Sequence, residues 1–306
     1  MPHSVFDLHC DTLTTHMGMP GGSLFQRSGD FSLLKLPAQT QWVQCTAVFL
    51  PDTCSPEQRL ARYEACLREL RQQQGEDLSV CRSSTQVEAA WGAGKAAAIL
   101  TVENGSLLCG RLTALDRLAA DGVRMMTLTW NGVNEIGSGH QSEAGLTPFG
   151  KALLPRMEDL GVVVDVSHLN DQGFRDVLDG AEKPFAASHS NARAICPHPR
   201  NLTDWQLREM ICRHCLIGLT FYSPFLRSDG QPAAREDLLR HAEHILDLGG
   251  EDCLALGGDL DGADLPPELD GAAAEAGLWD FFREQGYPEG LTAKLMYRNA
   301  LSFFRS

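Results

Sequence analysis

Eight short apolar runs alternate with helical segments along nearly the whole chain, and this alternation constrains the fold more than any other feature. Repeated strand–helix–strand units are the signature of parallel strands joined by crossover helices. The clearest unit lies between Gly161 and Asn201. Gly161-Val162-Val163-Val164-Asp165-Val166 stops on Ser167-His168, a helical segment comes next, and Pro184-Phe185-Ala186-Ala187 stops on Ser188-His189. Neighbouring parallel strands would bring both histidines out on one edge. The remaining runs are 5–8, 44–50, 95–102, 124–129, 216–220 and 253–256. Helices are expected over 56–74, 112–120, 234–248, 271–285 and 292–304, and Thr147-Pro148 reads as the N-cap and first position of another. The simplest architecture for eight such units is a (β/α)8 barrel, read as one catalytic domain over 1–306. A doubly wound open sheet competes, but no glycine-rich phosphate fingerprint comes after the first run. Loops 137–145 and 264–271 are the candidate lids.

The chain is 43% hydrophobic with a net charge of −14, enough apolar residue for a large core and no basic face for nucleic acid or an anionic membrane. No apolar run approaches the roughly 20 residues of a membrane span. The first residues enter a strand at once, without a signal-peptide pattern. Of the ten cysteines only Cys212 and Cys215 are three apart, on a helical pattern and with no second pair to match them, which argues against a zinc knuckle. These features read as reduced thiols in a cytoplasmic protein.

Polar residues gather just past the ends of the runs. His9 and Asp11 follow the first, Glu103 the third, His168 the fifth, His189 the sixth and Asp259 the eighth. In a barrel, such positions converge on the mouth where active sites lie. Buried there unpaired, three histidines and three acids would be costly, and divalent metal would compensate them. The competing reading is histidines satisfied by local hydrogen bonds. Nitrogen and oxygen ligands without cysteine suit Zn²⁺, Mn²⁺ or Fe²⁺. Four or five ligands with a carboxylate able to bridge suggest two metals roughly 3.5 Å apart, activating a shared water for hydrolysis of an amide, ester or similar bond. Asp259 and Asp261 lie in a Gly-Gly-Asp-Leu-Asp-Gly turn, and Asp259 is the better placed for chemistry. Cys10 is expected to face the barrel wall and His16 to be a surface or loop residue. His140 and His198 lie in loops near the mouth.

Together, Asp7-Leu8-His9-Cys10-Asp11-Thr12, Glu103-Asn104-Gly105, Leu128-Thr129-Trp130-Asn131, Asp165-Val166-Ser167-His168, Ser188-His189-Ser190-Asn191-Ala192-Arg193, Pro199-Arg200-Asn201 and Gly257-Gly258-Asp259-Leu260-Asp261-Gly262 resemble the membrane (renal) dipeptidase family. The resemblance spans the first run to the last helix, and it implies a soluble, bacterial-type zinc dipeptidase. By resemblance, His9 and Asp11 bind one zinc and His168 and His189 the other, with Glu103 bridging the two. Arg200 matches the arginine that grips the substrate's terminal carboxylate. Asp259 matches the acid near its amino group and leaving nitrogen. A hydroxide bridging the metals would attack the scissile carbonyl, and a D residue on the carboxyl side would be accepted.

One departure stands out. The renal enzyme carries a carbonyl-binding histidine after the fourth strand, where this chain reads Trp130-Asn131. This bears on substrate range rather than on the metal site. Trp130, Asn131 and Tyr222 are taken as substrate-facing, and Asn131 could supply the missing hydrogen bond. A homodimer is compatible with the resemblance. The alternatives are an N-acyl-amino-acid or lactone hydrolase on the same barrel, a metal-free barrel without catalysis, and, more remotely, thiol catalysis by Cys10.

Overall fold

The computed structural model describes residues 3–305. Among the described residues nine strands form, all parallel: β1 Ser4–Cys10, β2 Gln41–Phe49, β3 Leu78–Cys81, β4 Ala96–Glu103, β5 Met125–Thr127, β6 Val163–Asp165, β7 Ala186–Ala187, β8 Leu216–Leu219 and β9 Leu254–Leu256. Eight close into a barrel, because β1 pairs with β9, β1 with β2 and β2 with β4. The fold is the (β/α)8 barrel that the alternation predicts. The additional strand, β3, pairs with the N-terminal half of β4, where Leu78 meets Ala96 and Cys81 meets Ile99. β5 takes over the same edge from Thr101 onward. At four residues, β3 lacks the long apolar signature of the other runs.

Helix starts obey local chemistry. Ser55 and Gln58 form a capping box for Pro56–Gln73, and Thr147 accepts from the Gly150 amide at 3.0 Å ahead of Pro148–Asp159. Asn170 caps Asp171–Gly180 in the same way. The last helical stretch is not continuous: a π-turn over Lys294–Arg298 separates Glu289–Ala293 from Asn299–Phe303.

Two apolar clusters divide the core. One holds Phe6, Leu8, Val43, Cys45, Ile99, Met125, Ala186, Leu216 and Ala255, with Ala300 and Phe304 from the C-terminal end packed against it. The other joins the opposite strand faces to the helices. β1 changes sides between them. Asp7 pairs with Gln44 but Cys10 with Thr46, so one extra residue is accommodated in β1. Leu8 therefore belongs to the first cluster while Cys10 belongs to the second, and His9 and Asp11 are free to face the mouth.

Candidate active site

The strand ends bring the six polar residues together. His9 Nε2 lies 3.4 Å from Glu103 Oε2, 3.9 Å from Asp11 Oδ1 and 3.7 Å from Asp259 Oδ1. His168 Nε2 lies 2.8 Å from Glu103 Oε1 and 2.9 Å from His189 Nε2. Glu103, the last residue of β4, thus turns one oxygen to His9 and the other to His168. Two sets have ligand atoms mutually within 4.8 Å: His9, Glu103 and His189, and His9, Asp11 and Asp259. His168 and Asp259 hold this position with backbone φ of +72° and +65°, a left-handed conformation costly for any residue with a Cβ.

Behind the histidines stand groups that fix their tautomers. Asp165, at the end of β6, accepts from the Ser167 and Ser188 amides at 3.0 and 2.9 Å, and from the hydroxyls of Thr127 and Ser188 at 2.7 and 2.6 Å. With its proton given to Asp165, the Ser188 oxygen accepts from His189 Nδ1 at 2.7 Å. Asn131 Oδ1 accepts from His168 Nδ1 at 2.9 Å. Both rings then keep their protons on Nδ1 and present bare Nε2 lone pairs to each other and to Glu103. The Ser188 carbonyl also lies where any side chain at position 218 or 257 would clash: a Cβ there would approach it to 2.0 or 1.8 Å. Glycine at both positions lets β8 and β9 close on the strand end that carries His189.

Such an arrangement leaves ligand atoms unsatisfied. His9 Nε2 and Asp11 Oδ1 are buried without a hydrogen-bond partner. Burial works against a proton on His9, but Glu103, Asp11 and Asp259 outweigh it and push the imidazole up to about 10. Burial and the repulsion of Glu103 raise the Asp11 carboxyl well above its usual range and Asp259 to about 7. Burial, with Arg200 adding, lowers His168 to about 4, and burial, with His9 adding, holds His189 well below its ordinary value. Facing lone pairs, orphaned ligand atoms and an all-nitrogen-and-oxygen donor set fit a divalent-metal site.

Asp11, Glu103, His168 and Asp259 line a cavity of about 760 Å³ together with Trp130, Asn131, His140, His198, Arg200, Tyr222 and Phe225. Trp130 packs edge-on against Phe49 at 5.1 Å. Arg200 is only 4% exposed, its Nε is unpartnered, and its Nη2 reaches the His189 carbonyl at 3.5 Å. Cys10 is fully buried, and burial pushes its thiol well up, away from thiolate character.

His16 and Asp30 also line the mouth, although the sequence marks neither for a role there. Asp261 accounts for both. It accepts from the Asp30 amide at 2.7 Å, the Phe31 amide at 3.3 Å and the Thr12 hydroxyl at 2.5 Å, and it meets His16 Nε2 at 3.1 Å. It thereby ties the segment after β1 to the turn after β9. Loop 137–145 is tied down as well, since Asn170 Nδ2 donates to the Ser142 and Ala144 carbonyls at 2.5 and 2.7 Å.

Buried histidines and carboxylates at the C-terminal mouth of a (β/α)8 barrel define the site of a metal-dependent hydrolase. Comparison with known proteins narrows the class. The family model for membrane dipeptidase, peptidase family M19, matches residues 2–306, and the chain belongs to that family. It is 34% identical over 253 residues to a Klebsiella pneumoniae protein described as the uncharacterized protein in the pqqA 5′ region, covering 79% of this chain and 93% of that one. Among solved structures, a metallopeptidase named dipeptidase AC superposes with a TM-score of 0.91 at 28% identity, covering 100% of this chain and 99% of its own. A Rhodobacter sphaeroides metallopeptidase, solved with a phosphinate mimic of the dipeptide L-Ala-D-Ala, gives 0.91 at 27% identity, covering 99% of each chain. The protein is a metal-dependent hydrolase acting on dipeptides.

Proposed function

We propose that the chain is a zinc dipeptidase holding two zinc ions, with His9 and Asp11 on one, His168 and His189 on the other and Glu103 bridging them. The observation that carries this reading is the lone-pair contact of His168 and His189 at 2.9 Å beside the orphaned His9 Nε2 and Asp11 Oδ1. Metal bound there would supply a water ionised at neutral pH, a bridging hydroxide, and a Lewis acid for the scissile carbonyl.

The chain's own groups do the rest. Arg200, buried beside the ligands, binds the substrate's terminal carboxylate through its planar fork. Asp259, whose carboxyl burial raises to about 7, holds a proton at Oδ1 and passes it to the leaving nitrogen. Trp130, Asn131 and Tyr222 wall the substrate from water. Asn131 already engages His168 through Oδ1, so only its Nδ2 is left to donate to a carbonyl. A clamp that grips the terminal carboxylate leaves the carboxyl-side side chain loosely confined, which suits L-D as well as L-L dipeptides. Cytoplasmic residence belongs to the same reading and is supported by ten free thiols.

Incubating zinc-loaded protein with a panel of L-L and L-D dipeptides tests the proposal. Cleavage to free amino acids is expected, with L-D pairs among the substrates. A chain that holds zinc and cleaves none of them contradicts it.

A further inference from the structure

Arg200 does not stand alone in its corner of the cavity. Its backbone amide donates to His198 Nδ1 at 3.1 Å, which makes that nitrogen an acceptor and leaves the imidazole proton on Nε2. The His198 ring packs against Phe225 at 4.4 Å, and the Arg200 guanidinium lies over the same phenyl ring at 5.3 Å. Phe225 is thus a common platform that fixes the imidazole beside the guanidinium. Across from them, the His140 ring stands 6.3 Å from the His198 ring, with its Nδ1 buried and unpartnered. All four residues line the cavity that also holds Glu103, His168 and Asp259, and the buried Nε of Arg200 has no hydrogen-bond partner.

Charge explains why imidazoles occupy these two positions. Burial, with Arg200 adding, lowers His140 to about 4 and holds His198 below its usual range, so both are neutral at neutral pH. A neutral imidazole adds a hydrogen-bond donor without the repulsion that a second cation would suffer beside a buried guanidinium.

We propose that His198 and His140 complete the carboxylate pocket around Arg200 and set the preference for a free terminal carboxylate over an amide in the substrate. His198 donates from Nε2 to the carboxylate, and His140 donates from the opposite wall. The proposal rests on the dipeptidase reading, but its test separates the two.

Steady-state kinetics of the zinc-loaded enzyme on a dipeptide and on its C-terminal amide provide that test. Wild-type cleavage of the dipeptide addresses the dipeptidase reading alone. His198→Asn keeps an acceptor for the Arg200 amide and removes the distal donor, whereas His198→Gln keeps the distal donor. His198→Asn and His140→Ala should each raise KM for the dipeptide about tenfold, the scale of a lost hydrogen bond to a charged group, with kcat changed by less than about twofold. His198→Gln should stay near the wild-type KM, and no variant should shift KM for the amide. Unchanged KM in His198→Asn and His140→Ala on the dipeptide, or an equal rise on the amide, would overturn the proposal.

Discussion

At the scale of single residues, Asp165 shows how a buried carboxylate can organise a site without touching substrate. Such a group inside an apolar strand is tolerable only when its oxygens are fully engaged, and Asp165 accepts four hydrogen bonds. One of them passes through Ser188 to His189, so the carboxylate sets the tautomer of a candidate metal ligand from one residue away. Ser188→Ala removes that link while leaving Asp165 three donors. Metal affinity should fall about 10- to 100-fold, measured by competition with a chromophoric chelator, while thermal stability of the metal-free chain changes little. A large loss of stability with unchanged affinity would assign Ser188 to packing instead. The signal for this relay is present in the sequence: Asp165 interrupts a run of four valines, where an acid has no place unless something holds it.

At the scale of elements, the ends of the strands carry the site and the segments beyond them hold it in place. His241, in the helix Arg235–Asp247, is fully buried and accepts from the Ala192 amide at 3.1 Å while its Nε2 faces the Leu226 carbonyl at 3.1 Å. It pins the helix to the loops on either side of Arg200 and Phe225. Burial lowers its pKa from 6.5 to about 4, so between those two values the unfolded chain binds a proton that the folded chain refuses. Stability from this residue is therefore present above the unfolded value and is lost as pH falls toward the folded one. Urea unfolding of wild type against His241→Gln, at neutral pH and again about two pH units lower, should show the wild type losing about 2 kcal/mol more than the variant over that interval. Equal losses would leave His241 without that role. Helix periodicity marks it only as a face residue, because its partners are 15 and 49 positions away in sequence.

The same separation explains what else could and could not be read from the chain. The eight barrel strands and the six polar residues at the mouth were legible because each is announced locally, by an apolar run and by the polar residues at its end. β3 was missed because its four residues, only partly buried, carry no such run. The tether from Asp261 to Asp30, Phe31 and His16 was missed because it joins positions up to 245 apart, and a turn aspartate looks the same whether or not it has distant donors. The bulge in β1 was equally invisible, since it shows only in the register against β2.

For the whole molecule, the barrel gathers groups that repel or stand unsatisfied unless a cation lies between them, and it does so at the cost of positive φ at His168 and Asp259. On the two-zinc reading, bound cation offsets that cost. Without metal, His9 carries a proton, lifted to about 10 by its three carboxylate neighbours, and must release it to become a ligand. Zinc affinity should accordingly rise with pH. Calorimetric titration of zinc into metal-depleted protein at neutral pH, repeated in buffers of different ionisation enthalpy, reads both stoichiometry and proton release. Two zinc ions per chain with net release of protons is the predicted result; a chain that binds no zinc, or binds it without displacing a proton, would contradict the two-zinc site.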